Sequence, residues 1–113
     1  MLRGSKILIY GVAYKRDVRD VRESPALAII HELRRRGAQV AYMDPHVPEL
    51  DEDGTQLESI DPATGFSAFD AVIVVTDHTR LDRERLLREA TLVVDTRDAL
   101  RDVVGDRSKV YGL

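Results

Sequence analysis

The stretch from Lys6 to Pro25, KILIYGVAYKRDVRDVRESP, decides the fold of this chain. Its apolar run from Ile7 to Tyr10 is unbroken, which is typical of a strand covered on both faces in a parallel sheet. We therefore predict a strand over residues 6–10. Its last residues, Ser24 and Pro25, predict the start of a helix, because serine is a good N-cap and proline suits the first helical position.

The loop between these two elements, residues 11–24, is the first candidate for a functional site. A strand-to-helix connection usually takes roughly 2–6 residues, so this loop is longer than the fold requires. It follows the carboxyl end of a strand, where open α/β sheets bind their ligands. It also carries three acids and four cations, Lys15, Arg16, Arg19 and Arg22. These features predict a binding loop for an anionic, phosphorylated ligand.

The same binding loop has a simpler interpretation, a solvated loop with internal ion pairs such as Arg19 with Asp20. A dinucleotide-binding turn needs the pattern G-x-G-x-x-G, and of these glycines only Gly11 is present. The usual pyrophosphate turn is therefore excluded. A phosphate would instead be held by Lys15, by Arg22 and by the helix start at Ser24.

The rest of the chain alternates strands with helices. In the first helix, Ala26, Ile29, Ile30 and Leu33 form one apolar face, and Gly37 is the natural residue to end it. Further strands are predicted over residues 39–43, 71–76, 91–95 and 109–111, a helix capped by Asp82 over 82–90, and weak structure over 46–67 with a short strand at 57–60 and a helical turn at 65–69. This order predicts one domain over residues 1–113, an α/β Rossmann-like three-layer fold whose mainly parallel sheet is flanked by helices.

Composition excludes several classes of function. The chain has 113 residues, a net charge of −3 and no cysteine. The negative charge argues against nucleic-acid binding, and the lack of cysteine excludes disulfides, thiolate metal sites and cysteine nucleophiles. His31 and His46 have no partner at metal-ligand spacing, so we predict no metal site. No apolar run approaches a membrane span of ~18 residues and no signal peptide is visible, so we predict a cytoplasmic protein.

Polar residues follow the predicted strands at the points where the strands end. They are Lys15, Asp44, Asp77 with His78, and Arg97. In a doubly wound sheet all of these positions lie along one edge, so we group them into one predicted site.

Each of these residues has alternatives. Asp44 is either the ribose-binding acid of a nucleotide domain or, as we favour, a turn residue before Pro45. Asp77 and His78 are either an acid–base pair or, as we favour, a loop-opening pair beside Thr79, since adjacent residues at a strand end point different ways. Arg97 forms either a salt-bridged turn or the second cation of a phosphate clamp.

Four segments resemble a known family. They are residues 11–27, residues 37–45, Val74-Val75-Thr76-Asp77-His78 and Val93-Val94-Asp95-Thr96-Arg97. In order and spacing they resemble the C-terminal, UDP-binding domain of the UDP-glucose/GDP-mannose dehydrogenase family. The wording of residues 14–18 and 76–78 is similar to the branch that oxidises UDP-N-acetylhexosamines.

The resemblance implies an activity for the parent protein. Members of this family oxidise the sugar C6 alcohol of a nucleotide-sugar to a carboxylate in two NAD-dependent steps. An N-terminal domain binds NAD, a central helical region forms the dimer, and the catalytic cysteine lies upstream of the segment that this chain resembles. Because this chain has no cysteine, we expect an excised domain or truncated gene product that binds UDP weakly and is inactive alone.

The resemblance also assigns roles to four residues. Lys15, with Tyr14 beside it, would contact the nucleotide-sugar, and Arg97 would contact its nucleotide part. Arg22 would reach across the interdomain cleft toward NAD. Asp98 departs from the family pattern, since an acid at this position would pair with Arg97 or repel a phosphate.

Two other classes of function remain open at this stage. One is a freestanding nucleotide-binding or regulatory module without catalytic activity, which acts on a partner dehydrogenase. The other is a structural Rossmann-like domain whose site has decayed. A response to UDP separates the second from the first.

Overall fold

The computed structural model describes residues 3–52 and 54–112. Within them the strands are β1 (Lys6–Tyr10), β2 (Gln39–Met43), β3 (Glu49–Glu52), β4 (Thr55–Glu58), β5 (Ala71–Val74), β6 (Val93–Asp95) and β7 (Val110–Gly112). The helices are α1 (Pro25–Arg35) and α2 (Arg83–Glu89), with a short 3-10 helix at Pro62–Thr64.

A five-stranded parallel sheet in the order β2-β1-β5-β6-β7 forms the centre of the fold. Strand β1 lies between β2 and β5, and its Leu8 is in register with Ala41 on one side and Val72 on the other. Strand β7 lies at the edge next to β6. The predicted parallel sheet and the predicted edge strand are both confirmed.

The two helices cover opposite faces of this sheet. Ile7 and Ile9 of β1 belong to the cluster that contains Ala26 and Ile30 of α1, whereas Leu8 belongs to the cluster that contains Leu86 and Leu87 of α2. Successive side chains of a strand point to opposite faces, so one apolar run fills both cores. The three-layer α/β architecture is therefore confirmed.

Both helices begin at the predicted caps. The Ser24 hydroxyl accepts a hydrogen bond from the Ala26 N–H at 3.2 Å, and the Asp82 carboxylate accepts one from the Arg85 N–H at 3.1 Å. Helix α1 ends at Arg35 with Arg36 as its C-cap, and the next residue, Gly37, has the φ of +90° that favours glycine at this position. Neither helix in the described part of the chain is long and apolar enough to span a bilayer.

The segment predicted as weak structure is more regular than expected. Strands β3 and β4 form an antiparallel pair whose Leu50 and Thr55 are buried. The predicted strand at 57–60 overlaps β4, and beyond it Ile60 donates its N–H to the Tyr42 carbonyl at 2.8 Å. Within the helical turn predicted at 65–69 the structure has one hydrogen-bonded turn, from the Phe69 N–H to the Phe66 carbonyl at 3.5 Å. The 3-10 helix at Pro62–Thr64 precedes it and was not predicted; Asp61 caps it by accepting a hydrogen bond from the Ala63 N–H at 2.9 Å.

Candidate functional site

The candidate site lies at the carboxyl edge of the sheet, where strands β1, β2, β5 and β6 end. The chain leaves β1 toward a helix on one face and leaves β5 toward a helix on the other. The connections therefore diverge between these two neighbouring strands. Such a switch point opens a crevice in which doubly wound sheets bind ligands.

Gly11 starts the binding loop at a point of close approach. Its φ is +86°, and a Cβ at this position would lie 2.5 Å from the Thr76 carbonyl oxygen. Two hydrogen bonds accompany the approach, from the Gly11 N–H to the Met43 carbonyl at 2.9 Å and from the Thr76 hydroxyl to the Ala13 carbonyl at 2.8 Å. Only glycine fits here, because a side chain would meet backbone.

Asp44 holds the next residues of the loop from the end of β2. Its carboxylate is buried and accepts hydrogen bonds from the N–H groups of Val12 at 2.8 Å and Ala13 at 3.2 Å. It also accepts the His46 N–H at 2.8 Å, which is the turn role favoured from the sequence. Burial favours a higher pKa for Asp44, but hydrogen bonds from His78, Val12 and His46 outweigh it and lower the pKa. With both oxygens engaged inside the protein, the ribose-binding alternative is not supported.

His78 links Asp44 to a second position in the loop. Its ring is fully buried, with Nε2 2.8 Å from the Asp44 carboxylate and Nδ1 2.8 Å from the Asp17 backbone nitrogen. Its neighbour Asp77 points elsewhere and forms an ion pair with Arg16. The two side chains therefore do not share a proton. The contacts support the interpretation of Asp77 and His78 as residues that open the loop after β5 rather than as an acid–base pair.

Asp17 closes the crevice from the loop side. Its carboxylate accepts hydrogen bonds from the Thr79 N–H at 2.8 Å and the Thr79 hydroxyl at 2.6 Å, and these bonds lower its pKa. Its backbone has a φ of +62°, which is unfavourable for a residue with a side chain. The loop after β1 and the loop after β5 are thus joined across the switch point.

The resemblance-derived residues lie on the exposed side of this edge. Tyr14 and Lys15 are exposed at the loop tip, between the positions held by Asp44 and by His78. The Lys15 amine and the Arg97 guanidinium have no ion pair or hydrogen bond with any residue in 3–52 and 54–112. Arg97 lies in the loop after β6, and the structure shows no contact between it and Lys15.

Arg22 is the exception among these cations, because Asp20 already binds it. The guanidinium donates to both carboxylate oxygens, with Nε–Oδ1 and Nη2–Oδ2 distances of 3.1 and 2.8 Å, and the contact lowers the pKa of Asp20 to about 2. Asp20 therefore pairs with Arg22 rather than with Arg19, the partner named from the sequence. Among the described residues Asp98 likewise forms no ion pair with Arg97.

Recesses open around the carboxyl edge. Tyr14, Asp20, Arg22 and Glu23 line one of about 260 Å³. Another, of about 190 Å³, lies between the loops after β5 and β6 and is lined by Arg16, Asp77, Arg83, Ala99, Arg101, Asp102 and Val103. A third, of about 250 Å³, is lined by residues that include Tyr10, Met43, Phe66 and Arg80. Each recess is lined by acids as well as arginines, and the arginine of the first one is already paired with Asp20.

Asp17, His46 and His78 were not grouped by sequence spacing. They lie at three strand ends, and one ligand atom from each comes within 4.8 Å of the others. His46 Nε2 is buried and has no hydrogen-bond partner among the described residues. His78 Nδ1, however, already accepts the Asp17 N–H, and both Asp17 oxygens accept hydrogen bonds from Thr79, so of the three ligand atoms only His46 Nε2 is without a hydrogen bond among the described residues. The signal that could have found this group was their shared place at the strand ends.

Comparison with known proteins matches this chain to one family and to one part of its members. Residues 8–102 match the UDP binding domain of the UDP-glucose/GDP-mannose dehydrogenase family. The UDP-glucose 6-dehydrogenase of Rhizobium meliloti is 29% identical over 109 residues, which are 88% of this chain and 24% of the relative. The UDP-N-acetyl-D-mannosamine dehydrogenase of Methanococcus maripaludis is 38% identical over 73 residues, 65% of this chain and 16% of the relative.

A solved structure agrees with the sequence relatives. The UDP-N-acetyl-mannosamine dehydrogenase of Staphylococcus aureus superposes with a TM-score of 0.72 and 28% identity, and the match covers 98% of this chain and 26% of that one. The chain therefore spans about a quarter or less of the length of the proteins that it matches.

Proposed function

This chain belongs to the UDP-glucose/GDP-mannose dehydrogenase family, and we propose that it binds the UDP moiety of a nucleotide-sugar for an NAD-dependent 6-dehydrogenase. The parent protein would oxidise the sugar C6 alcohol to a carboxylate. Its N-terminal domain would hold NAD, and its central region would form the dimer. The chain has no cysteine, so we expect it to show no dehydrogenase turnover by itself.

The observation that carries the proposal is the placement of Lys15. Its amine is exposed and unpaired among the described residues, yet the loop on either side is fixed by hydrogen bonds that the Ala13 N–H donates to Asp44 and the Asp17 N–H donates to His78. A cation held at a fixed place without an internal partner is suited to an external anion. UDP carries roughly two to three negative charges near neutral pH.

Arg97 supports the same ligand from a different loop. It follows β6 at the same edge as Lys15, and the Arg97 backbone N–H donates to the buried Asp95 carboxylate at 3.1 Å. The guanidinium is left exposed. Two cations on loops with fixed backbones can bind the two phosphates of a diphosphate by ordering only their own side chains. Binding energy gained there is remote from the sugar carbon and can orient the reacting end of the substrate.

We propose a different ligand for Arg22. In this chain its guanidinium is bound to Asp20, so it is a poorer partner for UDP than the unpaired Lys15. Its role toward NAD would require the domain that holds NAD. We therefore expect Arg22→Ala to leave UDP affinity almost unchanged, which makes it a matched control within the same loop.

An amide NMR titration of the chain, with UDP and then separately with NAD, tests the proposal. We expect UDP to shift the resonances of residues 11–24 and 95–98 and NAD to shift few. Lys15→Ala should weaken UDP binding about tenfold, the effect of one charge-assisted contact, with an unchanged fold. No response of the wild-type chain to UDP would contradict the proposed function. An equal loss from Arg22→Ala would contradict the division of roles.

A further inference from the structure

We propose that His78 is a positioning residue for UDP binding, through a hydrogen-bond relay that fixes the Tyr14–Lys15 tip; this inference rests on the proposed function. His78 touches neither Tyr14 nor Lys15 by any hydrogen bond. Its effect is exerted through Asp17, and its hydrogen bond to Asp44 holds the ring in place.

The directions of the hydrogen bonds determine the tautomer of His78. The Asp17 backbone nitrogen can only donate, so His78 Nδ1 must accept and carries no proton. The ring proton is then on Nε2 and is donated to Asp44. Asp44 must be the carboxylate acceptor, because it receives this proton together with the N–H groups of Val12 and Ala13. The neutral ring therefore has one working donor and one working acceptor.

This tautomer joins the two ends of the loop tip. Asp44 fixes Ala13, the residue before Tyr14, and His78 fixes Asp17, two residues after Lys15. Asp17 holds an unfavourable φ of +62°, a conformation that persists only where surrounding contacts impose it. With the His78 acceptor lost, Asp17 keeps the carboxylate hydrogen bonds from Thr79, but its backbone N–H is no longer held, so the backbone can relax and the tip gains conformational freedom. UDP binding would then have to order the tip again, which lowers affinity.

Two variants at the same position separate positioning from packing. The amide of His78→Asn can place an oxygen near the Nδ1 position and still accept the Asp17 N–H. The longer His78→Gln can place its amide nitrogen near Nε2, so it keeps the donor to Asp44 and loses the acceptor for Asp17. Both remove the ring and bury one amide, so we expect similar losses of thermal stability.

UDP affinity should nevertheless differ between these variants. We expect His78→Asn to stay within about threefold of the wild type and His78→Gln to lose about tenfold, the cost of one hydrogen bond. Equal affinities of the two folded variants, or a greater loss in His78→Asn, would overturn the proposal. If the wild-type chain does not bind UDP, the proposed function fails and takes the positioning role with it.

The hydrogen bond between Asp17 and His78 can also be tested on the wild-type chain, without relying on the folding of a variant. A scalar coupling across the hydrogen bond between the Asp17 amide nitrogen and His78 Nδ1 should be visible by NMR, and saturation with UDP should slow exchange of the Asp17 amide proton. Absence of the coupling, or an Asp17 exchange rate that UDP does not change while Lys15 shifts, would overturn the relay.

Discussion

Asp44 and Asp95 are two buried carboxylates at the same edge of the sheet. Both hold a loop by accepting its backbone N–H groups, but Asp95 holds its own loop and Asp44 holds a loop that is distant in sequence. Asp95 ends β6 and accepts hydrogen bonds from the N–H groups of Arg97, Ala99 and Leu100, all within five residues of itself. Asp44 follows β2 and holds Val12 and Ala13, which lie 32 and 31 residues earlier.

The two loops differ in how far along the chain their carboxylate acceptor lies. The three hydrogen bonds that Asp95 accepts all lie within the loop after β6, so this carboxylate needs only its own strand and the residues that follow it. The binding loop after β1 is fixed by β2 through Asp44 and by the loop after β5 through His78. A loop fixed from neighbouring strands can be longer and still be ordered. Substitutions at positions that no ligand contacts can therefore also disorder this loop.

The largest loss of stability is expected for Gly11→Ala, at the start of the binding loop. The new Cβ would lie 2.5 Å from the Thr76 carbonyl at a φ of +86°, so we expect a loss of about 3–4 kcal/mol in the free energy of unfolding. Gly54→Ala is the control, since Gly54 has a φ of +82° and no atom within 4 Å of an added Cβ. We expect it to cost about 1 kcal/mol. Similar urea midpoints for both variants would contradict the close approach.

Asp44→Asn against Asp95→Asn tests the comparison directly. At either position an amide keeps its oxygen for all donors but one and turns its nitrogen toward that N–H, of His46 at position 44 and of Leu100 at position 95. We expect a loss of about 3 kcal/mol at 44, where three further charge-assisted hydrogen bonds weaken, and of about 1–2 kcal/mol at 95, where two weaken. Chemical denaturation measures both, and a larger loss at 95 would show that local attachment is the stronger.

Acid should gradually weaken the hold of Asp44 on the binding loop. The pKa of Asp44 is lowered in the folded chain from its ordinary value of 3.8. Its contribution to stability is therefore fully present above that value and is lost as the pH falls through the lower, folded-state pKa. Asp20 and Glu32, both with a pKa of about 2, change with the same sign. The difference between wild type and Asp44→Asn, followed from pH 7 to pH 2, isolates Asp44 and should shrink with acid; a constant difference would refute this.

The smallest effect on stability is expected where the two loops meet solvent. Lys15→Ala and Arg97→Ala should each change the free energy of unfolding by no more than about 0.5 kcal/mol, because neither side chain has a partner among the described residues. UDP affinity should fall in both. A loss of stability without a loss of affinity would mean that these cations serve the fold, and thermal unfolding with and without UDP distinguishes the two.

Much of the fold could be predicted from local signals. The apolar run of β1, the Ser24-Pro25 start of α1 and the Asp82 cap of α2 each depend on residues a few positions apart. The hairpin of β3 and β4 was missed, because its strands are short and polar and are recognised by the burial of Leu50 and Thr55. The 3-10 helix at Pro62–Thr64 lies outside the turn predicted at 65–69, and its local signal is the cap at Asp61.

For the candidate site, too, only the features with local signals could be predicted. Its edge could be predicted, because parallel strands place their carboxyl ends together and Lys15 and Arg97 follow two of them. The exposed cations agree with that prediction, and their roles remain to be tested. The relay through Asp44, His78 and Asp17 could not be predicted, because its hydrogen bonds join residues 34 and 61 positions apart. No pattern in the chain marks such a pair.

The long reach of Asp44 and His78 has a consequence for synthesis on the ribosome. Val12 and Ala13 are translated about thirty residues before their acceptor at Asp44, and His78 follows later still. At bacterial or eukaryotic rates of roughly 5–20 residues per second, that interval lasts seconds. The binding loop therefore emerges before the residues that hold it, and until His78 has emerged its cations can contact the anionic surfaces around a nascent chain.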